Sequence, residues 1–204
     1  YAPVYRFSAV MMEPVDPAAL QRAVDRTMPR FPSFRIRIRR GVFWCYFEPN
    51  HKPGPFVRPD ISNPCQPVRD RQDNDWLIRF YYYENRVSFE AFHAIADGSG
   101  ALAFFRTVLA EYLRERGVEI PPDPLLLDVS QPPGPEELED AYGRYAGKQT
   151  LRSGLRKTAY ANISPREPFY TLNVTMGLMS VAAVKAKARE HNATITEYLT
   201  AVLL

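Results

Sequence analysis

The sequence predicts an α+β fold, a mixed but mostly antiparallel sheet with flanking helices. Three observations lead there. Strand-like runs come as neighbours joined by short turns, as with Asp75 to Tyr83 and Arg86 to His93 about Glu84-Asn85. Helical periodicity is confined to isolated segments, of which Ser99 to about Arg116 is the longest. Strands and helices do not alternate as regular βαβ units would require, which favours α+β over a wound parallel sheet.

Taken in order, Tyr5 to Met12 reads as a strand. Asp16 is an N-cap with Pro17 at the first helical position, and Leu20, Val24 and Met28 then recur four apart on one helix face. Phe34 to Arg39 alternates strictly, and Arg40-Gly41 turns it into Val42 to Glu48, a hairpin. Six prolines between Pro49 and Pro67 mark a loop. The hairpin about Glu84-Asn85 follows. The helix from Ser99 places Leu102, Phe105, Leu109, Tyr112 and Leu113 on one stripe. Ile120 to Pro135 is loop, Glu136 to Tyr145 a short acidic helix, and Gly147 to Arg166 basic and weakly patterned. Pro168 to Met179 reads as a strand, Met179 to His191 as a helix, and Thr194 to Leu204 as a last amphipathic helix. No internal repeat is visible.

Composition narrows the functional classes. A chain of 204 residues, 46% hydrophobic and 13% aromatic, buries a real core. A net charge of +3 is too slight to point to a nucleic-acid partner. No apolar run approaches the ~18 residues a membrane span needs. There is no basic-then-apolar leader, so the cytoplasm is the expected compartment. Cys45 and Cys65 suit reduced thiols and form no metal-ligand spacing; His51 and His191 have no ligand-spaced companion, so no metal is expected. The arginines at 35, 37, 39 and 40 read as the wet face of a half-buried strand. Tyr81-Tyr82-Tyr83 and Phe104-Phe105 read as core and interface.

The stretch that chemistry can use is His93-Ala94-Ile95-Ala96-Asp97-Gly98. His93 falls at or just past a strand end, and Asp97-Gly98-Ser99-Gly100 turns the chain into a helix. A loop between two rigid elements holds side chains still, which is what a site needs. A lone histidine at a strand end is more often a packed core residue; the acid and glycine at this spacing, in this context, set His93 apart. Imidazole titrates near neutral pH and can take a proton from an attacking hydroxyl or amine. Asp97 is either a capping residue or a partner that shapes the loop, with Ser99 competing for the cap. Gly98 lets the backbone turn and leaves space beside the imidazole.

This HxxxDG arrangement resembles the active-site motif of the coenzyme A-dependent acyltransferase superfamily, which includes chloramphenicol acetyltransferase, alcohol acetyltransferases and the condensation domains of peptide synthetases. Many members carry two adjacent histidines. Here Phe92 stands at the first position and His93 at the second, which does the chemistry. Pro29-Arg30-Phe31-Pro32 through Arg35 is similar to the passage after the family's first helix, and Val181 to Leu204 looks like the opening of its second half. The resemblance implies a chloramphenicol acetyltransferase-like half-domain over 1–165, with 166–204 beginning the C-terminal half. It implies His93 as general base in direct transfer from acyl-coenzyme A, a co-substrate rather than a bound cofactor, to an alcohol or amine acceptor. Asp97 and Gly98 would be structural members of the motif, Asp97 through an arginine partner. The last helix stops without Gly, Pro or a polar tail, so a missing C-terminal half, self-association of 1–204 and an inactive isolated fragment are expected. Two other readings stay open: a condensation domain using carrier-bound thioesters, and a non-catalytic interaction or regulatory domain on the same scaffold.

Overall fold

A computed structural model describes residues 4–61, 63–68, 73–139, 144, 168 and 174–203. The chain divides into two compact units, Tyr1–Gln149 and Thr150–Leu204. The expected boundary between 165 and 166 lies outside the described residues, as does the segment 147–166.

The first unit is α+β, with a mostly antiparallel sheet and flanking helices. Its strands are β1 (Val4–Val10), β2 (Ile36–Arg40), β3 (Cys45–Pro49), β4 (Val57–Pro59), β5 (Ile78–Tyr83) and β6 (Arg86–Phe92). The main sheet runs β1-β6-β5-β4, and β2-β3 forms a separate two-stranded ribbon. β1 pairs antiparallel with β6, Phe7 facing Phe89 and Tyr5 facing Ala91. β5 and β6 form the hairpin expected about Glu84-Asn85, with Glu84 at φ 49 in the left-handed region. β4 runs parallel to β5 and makes the sheet mixed.

Two helices cover one face of this sheet. In α1 (Pro17–Thr27), Asp16 caps as expected, accepting from the amides of Ala18 and Ala19. α2 (Gly98–Glu115) begins one residue before the expected start, and just past its cap comes Gly117, whose φ of +79 favours glycine. Its buried stripe is Ala101, Phe104, Phe105, Val108 and Tyr112; Leu109 and Leu113 pack at its edge. The expected stripe through Leu102 is thus rotated by about one residue. The reason is that α2 contacts both the sheet and α1, which widens its apolar face beyond a single line of side chains. Arg22 and Arg26 of α1 reach Glu115 of α2 at 2.9 and 2.5 Å across the helix pair.

Between helices and sheet lies a phenylalanine cluster. Phe104, fully buried, stacks on Phe34 at 4.4 Å between ring centroids and meets Phe31, Phe80 and Phe89 edge-on. Phe34 belongs to a 3-10 turn (Pro32–Phe34) rather than to β2, so the strand starts two residues later than its alternation suggests. The apolar side chain is needed in this core, and the turn delivers it.

The opposite face of the sheet is polar yet buried. Arg6 of β1 holds Glu90 at 2.7 Å and Asp60 at 2.7 Å, and Arg79 of β5 also faces Glu90 at 3.5 Å. The proline-rich segment folds over this layer: the Cys65 amide donates to Glu90 at 2.5 Å, and Arg79 donates to the carbonyls of Gln66 and Pro67. Burial alone would lower the Arg6 pKa, but hydrogen bonds from its guanidinium to Asp60 and Glu90 hold it above its ordinary value. In the ribbon, Arg37 and Arg39 both pair with Glu48, consistent with a solvated strand face.

The second unit shows helices Val181–Glu190 and Ile195–Leu203. The first is closed by Asn192 at φ 51, with the Ala193 amide returning to the Ala188 carbonyl. Of the strand expected over 168–179, positions 174–179 belong to no ladder, and Val174, Met176, Leu178 and Met179 are exposed. Alternation alone forms no strand without an edge to pair with. Of the helix expected over 136–145, the described residues show the turn Pro135–Leu138, where Glu137 grips Arg30 at 2.6 and 2.8 Å, and a helical Arg144; 140–143 and 145 lie outside the described residues.

Phe104→Ala should cost about 3–5 kcal/mol, since it empties the centre of the aromatic cluster. Urea denaturation of the protein checks this; a loss below about 1 kcal/mol would place the core elsewhere.

Candidate active site

The site grows out of the junction of β6 and α2. β6 ends at Phe92, and residues 93–95 form a turn closed by the Ile95 amide donating to the Phe92 carbonyl at 3.1 Å. His93 is the first residue past the strand and is exposed. Its ring meets the Tyr5 ring edge-on, with centroids 4.9 Å apart and planes at 64°. The Tyr5 hydroxyl then reaches past the imidazole to the loop. It donates to the Ala96 carbonyl at 3.1 Å, with the Asp97 carbonyl 3.3 Å away. Burial raises the pKa of Tyr5, and the nearby Asp97 charge adds to it, so the phenol stays a donor.

Among the described residues nothing hydrogen-bonds the imidazole, and the residue is exposed. Tyr5 packs against its ring. An imidazole so presented can take a proton from an approaching group and return it without first breaking a protein contact.

Asp97 caps α2. Its carboxylate accepts from the Gly100 amide at 2.8 Å, and its own carbonyl accepts from Ala101 at 3.1 Å. No arginine, lysine or histidine is ion-paired with Asp97 among the described residues. Nor does Asp97 touch the imidazole. Its carboxylate is committed to the helix, and the competition with Ser99 for the cap goes to Asp97.

Gly98 occupies the first helical position at a φ outside the left-handed region, and a Cβ built there meets nothing within 4 Å. The turn therefore does not require glycine. What it leaves is open space beside the loop.

Of the expected site residues, the fold brings His93, Asp97 and Gly98 onto one short loop. Sequence reading missed Tyr5, because nothing local marks a tyrosine on the first strand as the neighbour of a histidine some ninety residues on. It also missed the groove next to the loop. Phe92 and Ala94, on either side of His93, line a depression of about 600 Å³ whose far wall is the β2-β3 ribbon. Of the two cysteines, Cys65 is a poor nucleophile, because burial and the charge of Glu90 push its thiol up, and Cys45 lies exposed in the wall of the groove. His51 lies exposed in its loop, and His191 stacks on Tyr198 at 5.7 Å. No group of three or more His, Cys, Asp or Glu side chains could hold a metal among the described residues. No helix of these residues is long and apolar enough to cross a membrane.

No family profile matches the chain, and no curated protein matches it. Among solved structures, the chain is similar to the SgcC5 protein from Streptomyces globisporus at 16% identity, with a TM-score of 0.43 and 59% of this chain and 32% of that chain covered. It is similar to the X-domain from teicoplanin biosynthesis at 18% identity and a TM-score of 0.47, covering 76% and 36%. It is similar to the starter condensation domain of rhizomide synthetase RzmA at 13% identity and a TM-score of 0.46, covering 58% and 34%. The chain thus spans about a third of the length of these structures.

The capping role makes a sharp distinction. Asp97→Ala should cost about 1 kcal/mol, whereas Asp97→Asn, an equally good cap, should cost a few tenths at most. Thermal denaturation of both variants checks this. Equal, large losses would mean that the carboxylate charge matters beyond the cap.

Proposed function

We propose that this chain supplies the general base for acyl transfer from a thioester to an alcohol or amine. The observation that carries the reading is the exposed imidazole of His93, held on one side by Tyr5 and unbonded on the other. In the reaction, an imidazole nitrogen takes the proton of the acceptor as its oxygen or nitrogen attacks the thioester carbonyl carbon. The new C–O or C–N bond forms, the tetrahedral intermediate collapses, and the C–S bond breaks. The imidazolium then returns the proton to the departing thiolate, so acyl group and proton balance with no acyl-enzyme.

The donor in this reading is acyl-coenzyme A. The carrier-bound thioester of a condensation reaction presents the same carbonyl to the same base. Two of the similar structures are described as condensation domains, of the rhizomide synthetase and of the enacyloxin polyketide synthase. The second substrate wall and the donors for the oxyanion belong, on the resemblance, to sequence beyond these residues.

His93→Ala in the full-length protein should slow acyl transfer by at least about a hundredfold without changing the denaturation midpoint. The assay follows free thiol, with coenzyme A thioesters and carrier-bound thioesters as separate arms, against a panel of alcohols and amines. Activity in one arm only assigns the donor. Gly98→Ala should leave stability unchanged or slightly raised, as expected at a helical position, yet reduce the rate if substrate uses the space in front of it. Full activity in His93→Ala would sink the mechanism; a folded protein inactive in every arm would favour an interaction domain.

A further inference from the structure

The groove beside His93 has a lining that specifies what it takes. On one side stand Leu77 and Phe92, from β5's approach and the end of β6; on the other the ribbon turn contributes Val42, Phe43, Trp44 and Phe47. Phe43 is 89% and Trp44 65% exposed. Side chains of this kind are rarely left in contact with water in a row unless something covers them. The expected turn at Arg40-Gly41 is in fact a wider loop: the Gly41 amide donates to the Trp44 carbonyl at 2.7 Å, which swings Val42 and Phe43 out as a lip.

The charges in the lining are Arg40 and Asp75, of opposite sign. The lining residues themselves therefore carry no net charge to offer an ionic ligand. Its volume of about 600 Å³ falls within the roughly 300–1,000 Å³ of small-molecule sites. It opens onto the loop through Phe92 and Ala94, the two neighbours of His93.

We infer that this groove binds the apolar chain of the acyl group that His93 transfers. The inference rests on the acyl-transfer reading and names its substrate class. Among the parts of a thioester and its acceptor, the acyl chain is the one that carries no hydrogen-bonding groups and is attached directly to the reacting carbonyl. A chain lying against Phe92 and Ala94 starts where the base is and runs out under the aromatic lip. Short acyl groups such as acetyl leave most of the groove empty, so medium-length or aryl chains are the expected donors.

The protein reports on its own groove. Of the two tryptophans in residues 1–204, Trp76 is buried at 3% exposure with its indole N–H bonded to the Pro53 carbonyl, so a ligand at the ribbon perturbs Trp44, whose signal is the difference between the parent and Trp44→Phe. The experiment titrates the full-length protein with S-alkyl pantetheine thioethers of two, six and ten carbons, which cannot react, and reads tryptophan emission. Affinity should rise by roughly fourfold per added methylene, as burial of each methylene predicts. Trp44→Phe should abolish the signal. Phe43→Asp and Val42→Asp, both on the exposed lip, should flatten the chain-length dependence while Trp76 emission reports an intact fold. His93→Ala should lose transfer but keep chain-length-dependent binding, which separates failure of the base from failure of the groove. Affinity independent of chain length in the parent protein would overturn the inference. So would an unchanged dependence in both lip variants, or a Trp44 signal that follows protein concentration rather than ligand, which would assign the lip to a second copy of the chain.

Discussion

The hydroxyl of Tyr5 joins the first strand to a loop 91 residues away, and the presentation of His93 depends on that link. The bond exists because β1 does not pair with its neighbours in sequence. It lies against β6, with Tyr5 facing Ala91, so its side chain arrives at the end of β6 where the strand stops and the histidine begins. Without that pairing the turn at 93–95 would be tied down only by its own short hydrogen bonds and by the Asp97 cap. With it, the imidazole has a ring against one side and two loop carbonyls gathered behind it.

The same strand pair is locked from its other face. Arg6, one residue beyond Tyr5, bridges the buried carboxylates of Glu90 and Asp60. Removing one partner from such a group leaves a buried charge uncompensated, at a cost of about 3–5 kcal/mol. Register is thereby fixed by charge on one face and by Phe7 against Phe89 on the other, because a slip of one residue would exchange the two sets. The loop that carries His93 inherits that register. The segment rich in prolines is not a passive connection: by capping Glu90 with the Cys65 amide, it closes the polar layer.

Local chemistry was legible in the sequence; long-range pairing was not. Asp16-Pro17 marked the start of α1, the Glu84-Asn85 turn marked a hairpin, and the change from alternating to helical periodicity located His93 at a strand end. Each depends on interactions a few residues apart. The neighbour of His93 was invisible because Tyr5 reaches it through tertiary pairing. The burial of Glu90 was not legible either, since nothing near it in sequence shows that the Cys65 amide will reach its carboxylate. Asp97 was legible as a cap because the amide it accepts from, that of Gly100, is three residues on. The groove escaped notice for a related reason: Val42 and Phe43 look like strand residues until the ribbon turn widens and turns them outward.

Structure and the proposed chemistry meet in one short arc: a core of phenylalanines sets β5 and β6, β6 ends at Phe92, and His93 stands between an apolar groove and the start of α2. The most direct test is Tyr5→Phe, which keeps the ring against His93 and removes only the tether. Amide exchange, measured site by site, should quicken by roughly threefold to tenfold at Ile95 and Ala96, as loss of one hydrogen bond predicts, while the middle of α2 is unchanged. Acyl transfer by the full-length protein should fall with it. Unchanged loop exchange together with unchanged transfer would contradict the account, because His93 would then be held by something other than the first strand.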